Sequence, residues 1–332
     1  RSTVRNASTD ENGIVRADDL VRLTNVTFRN IEAWRGGAVY AGSVVGDNIR
    51  FVDTSSSHAG GAIDAEGDVA LEDALLRNAH APNAGGAIDA GGTVAITDSR
   101  LENVDYGDSA IIGEGGVEIT TTRINHTGAI SGAYDGTVTA TDLTATDVSG
   151  FGGERVVLRN VTVDTTRGMA ASSDEIRIEH STIRHTRGLA GNNVVVVVDS
   201  TLRDADRIDA DESITVRNST FVDFGQFTSF NEYWTLRLSR TTIHGASSPL
   251  VPAVRNQSIS RVNFVEVEAP VFEGRLPNKS QVFVDTATDT EPPGEWTADV
   301  FWSRETPFSS VDRLPAGAVR TPTPTPSPTP TP

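Results

Sequence analysis

Apolar and polar residues alternate at every second position along most of the chain, and the alternation restarts about every 20 residues. Residues 194–221 show this repeat most clearly, because Val197 and Asp199 are matched 19 residues later by Val216 and Asn218. A period of two predicts β-strands that bury one face. The repeat therefore predicts that short strands recur in every unit.

Polar residues at fixed places in the repeat predict tight bends, because Asn and Asp tolerate the left-handed backbone and hydrogen-bond to nearby backbone groups. The pattern places a first bend at Asn6, Asn25, Asp53, Asp73, Asp98, Thr121, Asp142, Asn160, His180, Asp199, Asn218, Arg240 and Arg261. It places a second bend five residues later, at Asn30, His58, Asn78, Asn103, His126, Asp147, Thr165, His185, Asp204, Asp223 and Glu266. Two bends divide each repeat into three short strands.

Three short strands bury their apolar sides only when one repeat stacks on the next. The sequence therefore predicts an all-β fold, a right-handed parallel β-helix solenoid of about 12–13 coils with three short strands per coil. The alternation of β-branched residues disfavours an α-solenoid. Stacking would also align Asn30, Asn78 and Asn103 as a polar ladder.

The repeat predicts a β-helix over residues 1–286, with residues 1–20 as a partial first coil. Residues 287–320 contain an aromatic cluster and are expected to form a C-terminal capping segment. Residues 321–332 alternate Thr and Pro, which is typical of an extended, stiff spacer. Such a spacer resembles the stalk that lifts a surface domain off a cell wall.

The composition narrows the classes of partner and compartment. The net charge of -17 argues against a nucleic acid or anionic membrane partner. No cysteine is present, which excludes disulfides and thiolate metal sites, and no apolar run reaches the roughly 18 residues that a membrane span needs. The acidic composition, in which Lys279 is the one lysine, resembles secreted proteins of halophilic archaea.

A Gly-Gly-Ala-Val/Ile motif recurs at residues 36–39, 60–63 and 85–88. It resembles the GGA[IV] repeats of β-helical adhesins and autotransporter passenger domains, and the resemblance covers residues 36–130. This resemblance implies a secreted, cell-surface protein with an adhesive role. The predicted fold is also that of pectate-lyase-like polysaccharide lyases and polygalacturonases, so an enzyme is the alternative.

Carboxylates cluster on the third strand of neighbouring coils. Asp64 and Asp89 follow equivalent isoleucines, and Glu66 and Glu114 lie two residues further along. Adjacent coils would bring such side chains within about 5–7 Å, close enough to raise a pKa or to hold Ca²⁺. The predicted calcium ligands are Asp64, Asp89 and Glu114.

Two insertions that border this strand supply aromatic residues, and sugar-binding clefts combine aromatic rings with carboxylates. The predicted ligand-binding residues are Trp34, Tyr40, Asp64, Glu66, His80, Asp89 and Glu114. A glycoside hydrolase would use Asp64 and Asp89 as its two carboxylates. A polysaccharide lyase would add Arg35 or Arg77 beside bound Ca²⁺, and a carbohydrate-binding module would show the cleft without the basic residue.

Seven Asn-x-Ser/Thr sequons are present, and glycosylation at any of them would place the chain outside the cell. They are Asn6, Asn25, Asn125, Asn160, Asn218, Asn256 and Asn278. Asn125, Asn256 and Asn278 lie off the bend register and are the better candidates. The sequence thus favours an extracellular structural or adhesive rod whose partners are surface glycans, polysaccharide or a copy of itself stacked end to end.

Overall fold

The computed structural model describes the backbone of residues 1–133, 135–165, 170–228, 235–244, 261–268, 281–285 and 299–303. All the regular secondary structure in these ranges is β-strand, and the strands pair in parallel as a β-solenoid of about 10 turns. The predicted all-β parallel solenoid is therefore confirmed, and the right-handed sense stays a prediction. Within the same ranges no helix is long and apolar enough to cross a membrane.

Thirty strands make up the described solenoid. The first fifteen are β1 Ser2–Ser8, β2 Val15–Thr24, β3 Val26–Ala33, β4 Val39–Asp47, β5 Arg50–Ser56, β6 Ile63–Ala65, β7 Val69–Glu72, β8 Leu75–His80, β9 Ile88–Ala90, β10 Thr93–Thr97, β11 Arg100–Gly113, β12 Gly116–Thr120, β13 Arg123–Gly132, β14 Thr137–Thr141 and β15 Thr144–Val148. The others are β16 Phe151–Gly152, β17 Arg155–Arg159, β18 Thr162–Asp164, β19 Ala170–Glu179, β20 Thr182–Thr186, β21 Gly188–Val198, β22 Thr201–Ala205, β23 Arg207–Ala210, β24 Ser213–Arg217, β25 Thr220–Val222, β26 Gln226–Thr228, β27 Thr235–His244, β28 Arg261–Glu268, β29 Gln281–Asp285 and β30 Asp299–Ser303.

Each turn contributes a strand to three faces, and the register places like residues on like residues. The first face lies before the first bend, the second face lies between the two bends, and the third face follows the second bend. On the third face Val39, Ile63 and Ile88 form one fully buried row. On the second face the rings of Phe28 and Phe51 stack with centroids 5.3 Å apart and planes 5° from parallel. The core is thus a set of ladders of similar side chains along the solenoid axis.

Both bends adopt the left-handed backbone that the sequence predicts, except at Thr165, whose φ is not positive. The first-bend residues with positive φ are Asn25, Asn48, Asp73, Asp98, Thr121, Asp142, Asn160, His180, Asp199, Asn218 and Arg240. The second-bend residues with positive φ are Asn6, Asn30, Asp53, Asn78, Asn103, His126, Asp147, His185, Asp204 and Asp223. The predicted polar ladder is confirmed, because Asn103 Nδ2 donates to Asn78 Oδ1 at 3.2 Å and Asn78 Nδ2 donates to Asp53 Oδ1 at 2.7 Å.

Asn6 and Asp53 belong to the second bend, so their predicted first-bend assignment is wrong. Asn48 is the first-bend residue of that turn, and His58 is not a bend residue. An apolar residue stands two places before both kinds of bend, so the pattern alone does not separate them. At Asn48 that place is taken by Gly46, which concealed the bend. Arg261 pairs with Thr235 at the start of a first-face strand, so its predicted first-bend assignment is also wrong. The described residues form about 10 turns, fewer than the predicted 12–13 coils.

Serine hydroxyls restore a hydrogen bond that the first bend interrupts. Ser200 Oγ donates to its own Val198 carbonyl at 2.7 Å and accepts from the Ser181 backbone N–H at 3.1 Å. Ser219 Oγ repeats this arrangement one turn further along, and these serines are buried. A buried backbone N–H without a partner would destabilise the fold, which explains the small hydroxyl residue that follows the bend.

The last described strand lies within the predicted capping segment 287–320. β30 pairs in parallel with β29, so residues 299–303 extend the ladder of strands. The other residues of the segment 287–320, and the Thr-Pro spacer 321–332, lie outside the described residues. The cap and the spacer therefore stay predictions.

Replacing Gly61 with alanine should disrupt turn stacking. Gly61 lies under the next turn, and a Cβ there would stand 2.1 Å from the Gly86 carbonyl oxygen. We expect Gly61→Ala to lower the free energy of unfolding by about 2–3 kcal/mol or more, as overpacking does. Chemical denaturation measures the change. Gly152→Ala is the control, because its Cβ would meet only Ser131 Oγ at 3.9 Å. Equal stability of the two variants would contradict the prediction.

Candidate functional site

The candidate site lies on the outward side of the third face. Tyr40, Asp64 and Asp89 stand in register on β4, β6 and β9, each directly after a buried residue of the core. Neighbouring strands lie about 4.8 Å apart, so these side chains are stacked neighbours. The predicted juxtaposition of Asp64 and Asp89 on one row is therefore present.

Arg35 covers this row from the insertion that follows β3. Arg35 Nε donates to Asp64 Oδ2 at 2.6 Å and Nη2 donates to Oδ1 at 3.3 Å, which is a two-pronged ion pair. Asp64 is left only 2% exposed. Gly36 has a φ of 53°, and a Cβ at this position would stand 2.1 Å from the Val39 carbonyl oxygen and 3.0 Å from the Asp64 Cβ. The glycine of the motif therefore allows the insertion to cover Asp64.

Burial controls the ionisation of both aspartates. It raises the pKa of Asp64, and the hydrogen bond and charge of Arg35 oppose that rise. Burial also raises the pKa of Asp89, and the neighbouring charge of Asp64 raises it further. The two carboxyl groups thus differ in role, because Asp64 is held by a cation and Asp89 has none bound to it in the described residues.

Aromatic side chains border the carboxylates. The Tyr40 hydroxyl donates to Glu66 Oε1 at 3.0 Å, and the Arg35 guanidinium lies 5.7 Å from the Tyr40 ring centroid. This hydrogen bond, followed by burial, raises the pKa of Tyr40. Trp34 is 49% exposed, and its ring lies 5.6 Å from the His58 ring. We call Trp34, Arg35, Tyr40, His58, Asp64, Glu66 and Asp89 the third-face cluster.

Two predicted ligand-binding residues lie at the edge of this cluster. Glu114 is exposed just beyond β11, and its charge contributes to the raised pKa of Asp89. His80 is exposed at the end of β8, in register with Ser55, which lies just after the second bend. The structure thus brings five of the seven predicted residues together and leaves Glu114 and His80 at the periphery.

The predicted calcium site gains no support from this geometry. Both oxygens of Asp64 already accept hydrogen bonds from Arg35, so a cation there would compete with the guanidinium. Within the described ranges, no group of three or more His, Cys, Asp or Glu side chains is arranged to hold a metal ion. Calcium binding by Asp64, Asp89 and Glu114 therefore remains only a prediction from sequence.

Sequence reasoning missed the position of His58 and a second buried aspartate. The repeat pattern predicts that His58 is a bend residue, whereas its ring packs beside Trp34. Asp209 occupies the place on β23 that Asp64 has on β6, and it is 3% exposed. Its Oδ2 atom lies 2.8 Å from Arg207 Nε. The recurrence of Ile-Asp-Ala on the third face was the available signal for Asp209.

The sequons divide into two structural groups. Asn125 is exposed on β13, while the amides of Asn160 and Asn218 donate to Asp142 and Asp199 in the first-bend ladder. Asn25 and Asn6 accept bonds in the bend ladders, and Asn256 and Asn278 lie outside the described residues. Glycosylation stays a prediction at each sequon.

The third-face cluster combines a fixed cation, a carboxyl group of raised pKa and an exposed indole. These groups are suited to hydrogen-bonding and stacking against a polyhydroxylated ligand. No protein-family model, curated protein or solved structure matches this chain. The argument about function therefore depends on the geometry of the cluster.

Replacing Asp89 with Asn should stabilise the protein at neutral pH. The pKa of Asp89 is raised above its ordinary value of 3.8, so the folded state keeps the proton to a higher pH than the unfolded state does. The free energy of unfolding therefore falls as the pH rises above 3.8. Asp89→Asn removes that loss, and we expect the melting temperature of the variant, relative to that of the wild type, to increase as the pH rises above 3.8 and then to level off. Thermal unfolding followed by circular dichroism measures the difference.

Asp64→Asn is the matched comparison. It leaves the Arg35 guanidinium without its carboxylate partner, so we expect a lower melting temperature than that of the wild type at pH 7. A melting temperature of Asp89→Asn that falls as far as that of Asp64→Asn would show that Asp89 stabilises the fold through an ion pair instead.

Proposed function

We propose that the protein is an extracellular, cell-surface β-solenoid with a structural or adhesive role, and that it binds glycans at the third-face cluster. The observation that supports this most strongly is the exposed indole of Trp34 beside an ordered polar network. Among the described residues, Trp34 and Leu20 are the exposed large apolar side chains, at 49% and 43%. Only Trp34 adjoins a network of hydrogen bonds and ion pairs.

The chemistry of the cluster suits a sugar. A flat indole packs against the C–H face of a pyranose, and carboxylate, guanidinium and phenol groups hydrogen-bond to its hydroxyls. Arg35, Tyr40, Asp64 and Glu66 are already fixed by contacts with one another. Binding would then order few additional side chains, which favours affinity.

The rest of the chain supports a location outside the cell. A parallel solenoid is a stiff scaffold that presents side chains at a constant repeat. The Thr-Pro spacer and the sequons are typical of secreted surface proteins. End-to-end stacking of solenoids remains an additional prediction about assembly.

A polysaccharide lyase or glycoside hydrolase that acts through Asp64 and Asp89 is the second candidate. The observation that favours it is the adjacency of two carboxyl groups of raised pKa beside Arg35. Hydrolysis needs one carboxylate that is free to act as nucleophile or base. Asp89 could be that group, but the reaction needs a second carboxyl group that reaches the substrate. Asp64 is 2% exposed and both its oxygens are bound by Arg35, and for this reason we favour binding over catalysis.

Trp34→Ala should weaken glycan binding by about tenfold or more, since truncating an aromatic anchor removes roughly 2 kcal/mol. An array of neutral and acidic oligosaccharides identifies binders, and calorimetric titration of the best binder compares the variant with the wild type. Leu20→Ala is the control, because it removes the other exposed apolar side chain. Equal affinity of all three proteins, or no binder on the array, would refute the proposal.

The enzyme alternative predicts turnover. Under our proposal, the oligosaccharides that bind on the array stay intact when they are incubated with the protein. Neither new reducing ends nor the absorbance of unsaturated uronate ends should then be detected. Cleavage that Asp89→Asn abolishes would instead identify a polysaccharide-acting enzyme.

A further inference from the structure

The second face carries one outward arginine on each of six successive strands, β1, β3, β5, β8, β11 and β13. Each arginine stands directly before or directly after the inward-facing apolar residue of its strand. These residues, which we call the arginine stripe, are Arg5, Arg29, Arg50, Arg77, Arg100 and Arg123. With strands about 4.8 Å apart, the stripe extends for roughly 24 Å along the solenoid.

Few carboxylates neutralise this stripe. Arg100 pairs with Glu102, and Arg29 Nε lies 3.9 Å from Asp53 Oδ2. Within the described residues, Arg5, Arg50 and Arg123 have no ion pair with a carboxylate, and all three are exposed. The stripe therefore keeps most of its positive charge, although the whole chain is strongly acidic.

Arg77 adds an independent observation. Its Nε is buried and has no hydrogen-bond acceptor among the described residues. A buried donor without an acceptor destabilises the protein unless a partner is supplied from outside. Arg77 is half-buried, so a rotation of its side chain would bring the guanidinium to an anionic ligand on the stripe.

One of the two outward rows of this face loses its arginines further along the solenoid, whereas the other row still carries Arg184 and Arg203. The row that holds Arg50, Arg100 and Arg123 continues in register as threonine from β15 to β27, and Glu268 follows on β28. These threonines are Thr144, Thr162, Thr182, Thr201, Thr220 and Thr242. Because threonine satisfies the fold at this position, stacking alone does not require the arginines.

We propose that the arginine stripe binds an extended anionic polysaccharide, carboxylated or sulfated, laid along the solenoid axis. Guanidinium groups bind carboxylate and sulfate through paired hydrogen bonds, and a constant strand spacing presents them to a linear polymer at regular intervals. At physiological salt, charges beyond about 8 Å are largely screened, so such a polymer responds to the stripe more than to the net charge of -17.

This binding surface is separate from the third-face cluster. It lies on another face, uses charge instead of an aromatic ring, and does not depend on Trp34. Failure of the glycan site at Trp34 would therefore leave this proposal intact, and the reverse also holds. A duplex nucleic acid and a second copy of the chain are the competing occupants that the experiment has to separate.

The test compares dextran sulfate and polygalacturonate with uncharged dextran, by titration at one physiological ionic strength. We expect the two charged polymers to bind and dextran not to bind. Arg50→Gln/Arg100→Gln/Arg123→Gln should weaken binding to both charged polymers by about tenfold or more. This is the sum of three exposed ionic contacts that each contribute under about 1 kcal/mol to the binding free energy. Arg22→Gln/Arg187→Gln/Arg217→Gln is the control, since it changes the net charge equally at exposed positions outside the second face.

Three outcomes would overturn the proposal. Equal weakening by both triple variants would mean that net charge, and not the stripe, governs binding. Tighter binding of duplex DNA than of either polysaccharide would assign the stripe to nucleic acid. Concentration-dependent association in analytical ultracentrifugation that only the stripe variant loses, without any polysaccharide binding, would assign it to a second copy of the chain.

Discussion

Each turn of the solenoid depends on the adjacent turns for its backbone hydrogen bonds and for its core contacts. A strand of three to five residues buries too little apolar surface to be stable alone, and its backbone groups pair only with the strands above and below. Every turn must therefore keep the same register as its neighbours. This requirement explains why similar residues recur in rows, from the stacked rings of Phe28 and Phe51 to the isoleucines of the third face.

The same requirement determines where irregular chain is tolerated. The bends place left-handed residues above one another, where their side-chain amides and the serine hydroxyls satisfy groups that the strands leave unpaired. Extra residues fit only at the turn corners, and the insertion that carries Trp34 and Arg35 leaves the stack there. The third-face cluster exists because this insertion returns over the outward row and covers Asp64.

Charge is distributed unevenly around the solenoid, although the stacking is nearly uniform. Outward positions contribute little to the core, so their composition is free to differ between faces and between turns. Carboxylates and an exposed indole meet on the third face, whereas the first turns of the second face carry an arginine on every strand and one row of its later turns carries threonine. A single scaffold can in this way present two chemically different surfaces.

Local pattern was enough to predict the all-β solenoid, its three strands per turn, its two left-handed bends and the row that joins Asp64 to Asp89, because these features repeat at a constant spacing. It did not separate the two bends at Asn6, Asn48 and Asp53, since an apolar residue precedes both kinds of bend. The ion pair of Arg35 with Asp64, the packing of His58 on Trp34 and the burial of Asp64 were decided by tertiary structure. These contacts join residues more than 20 positions apart through an insertion that does not repeat, so no periodic signal encodes them.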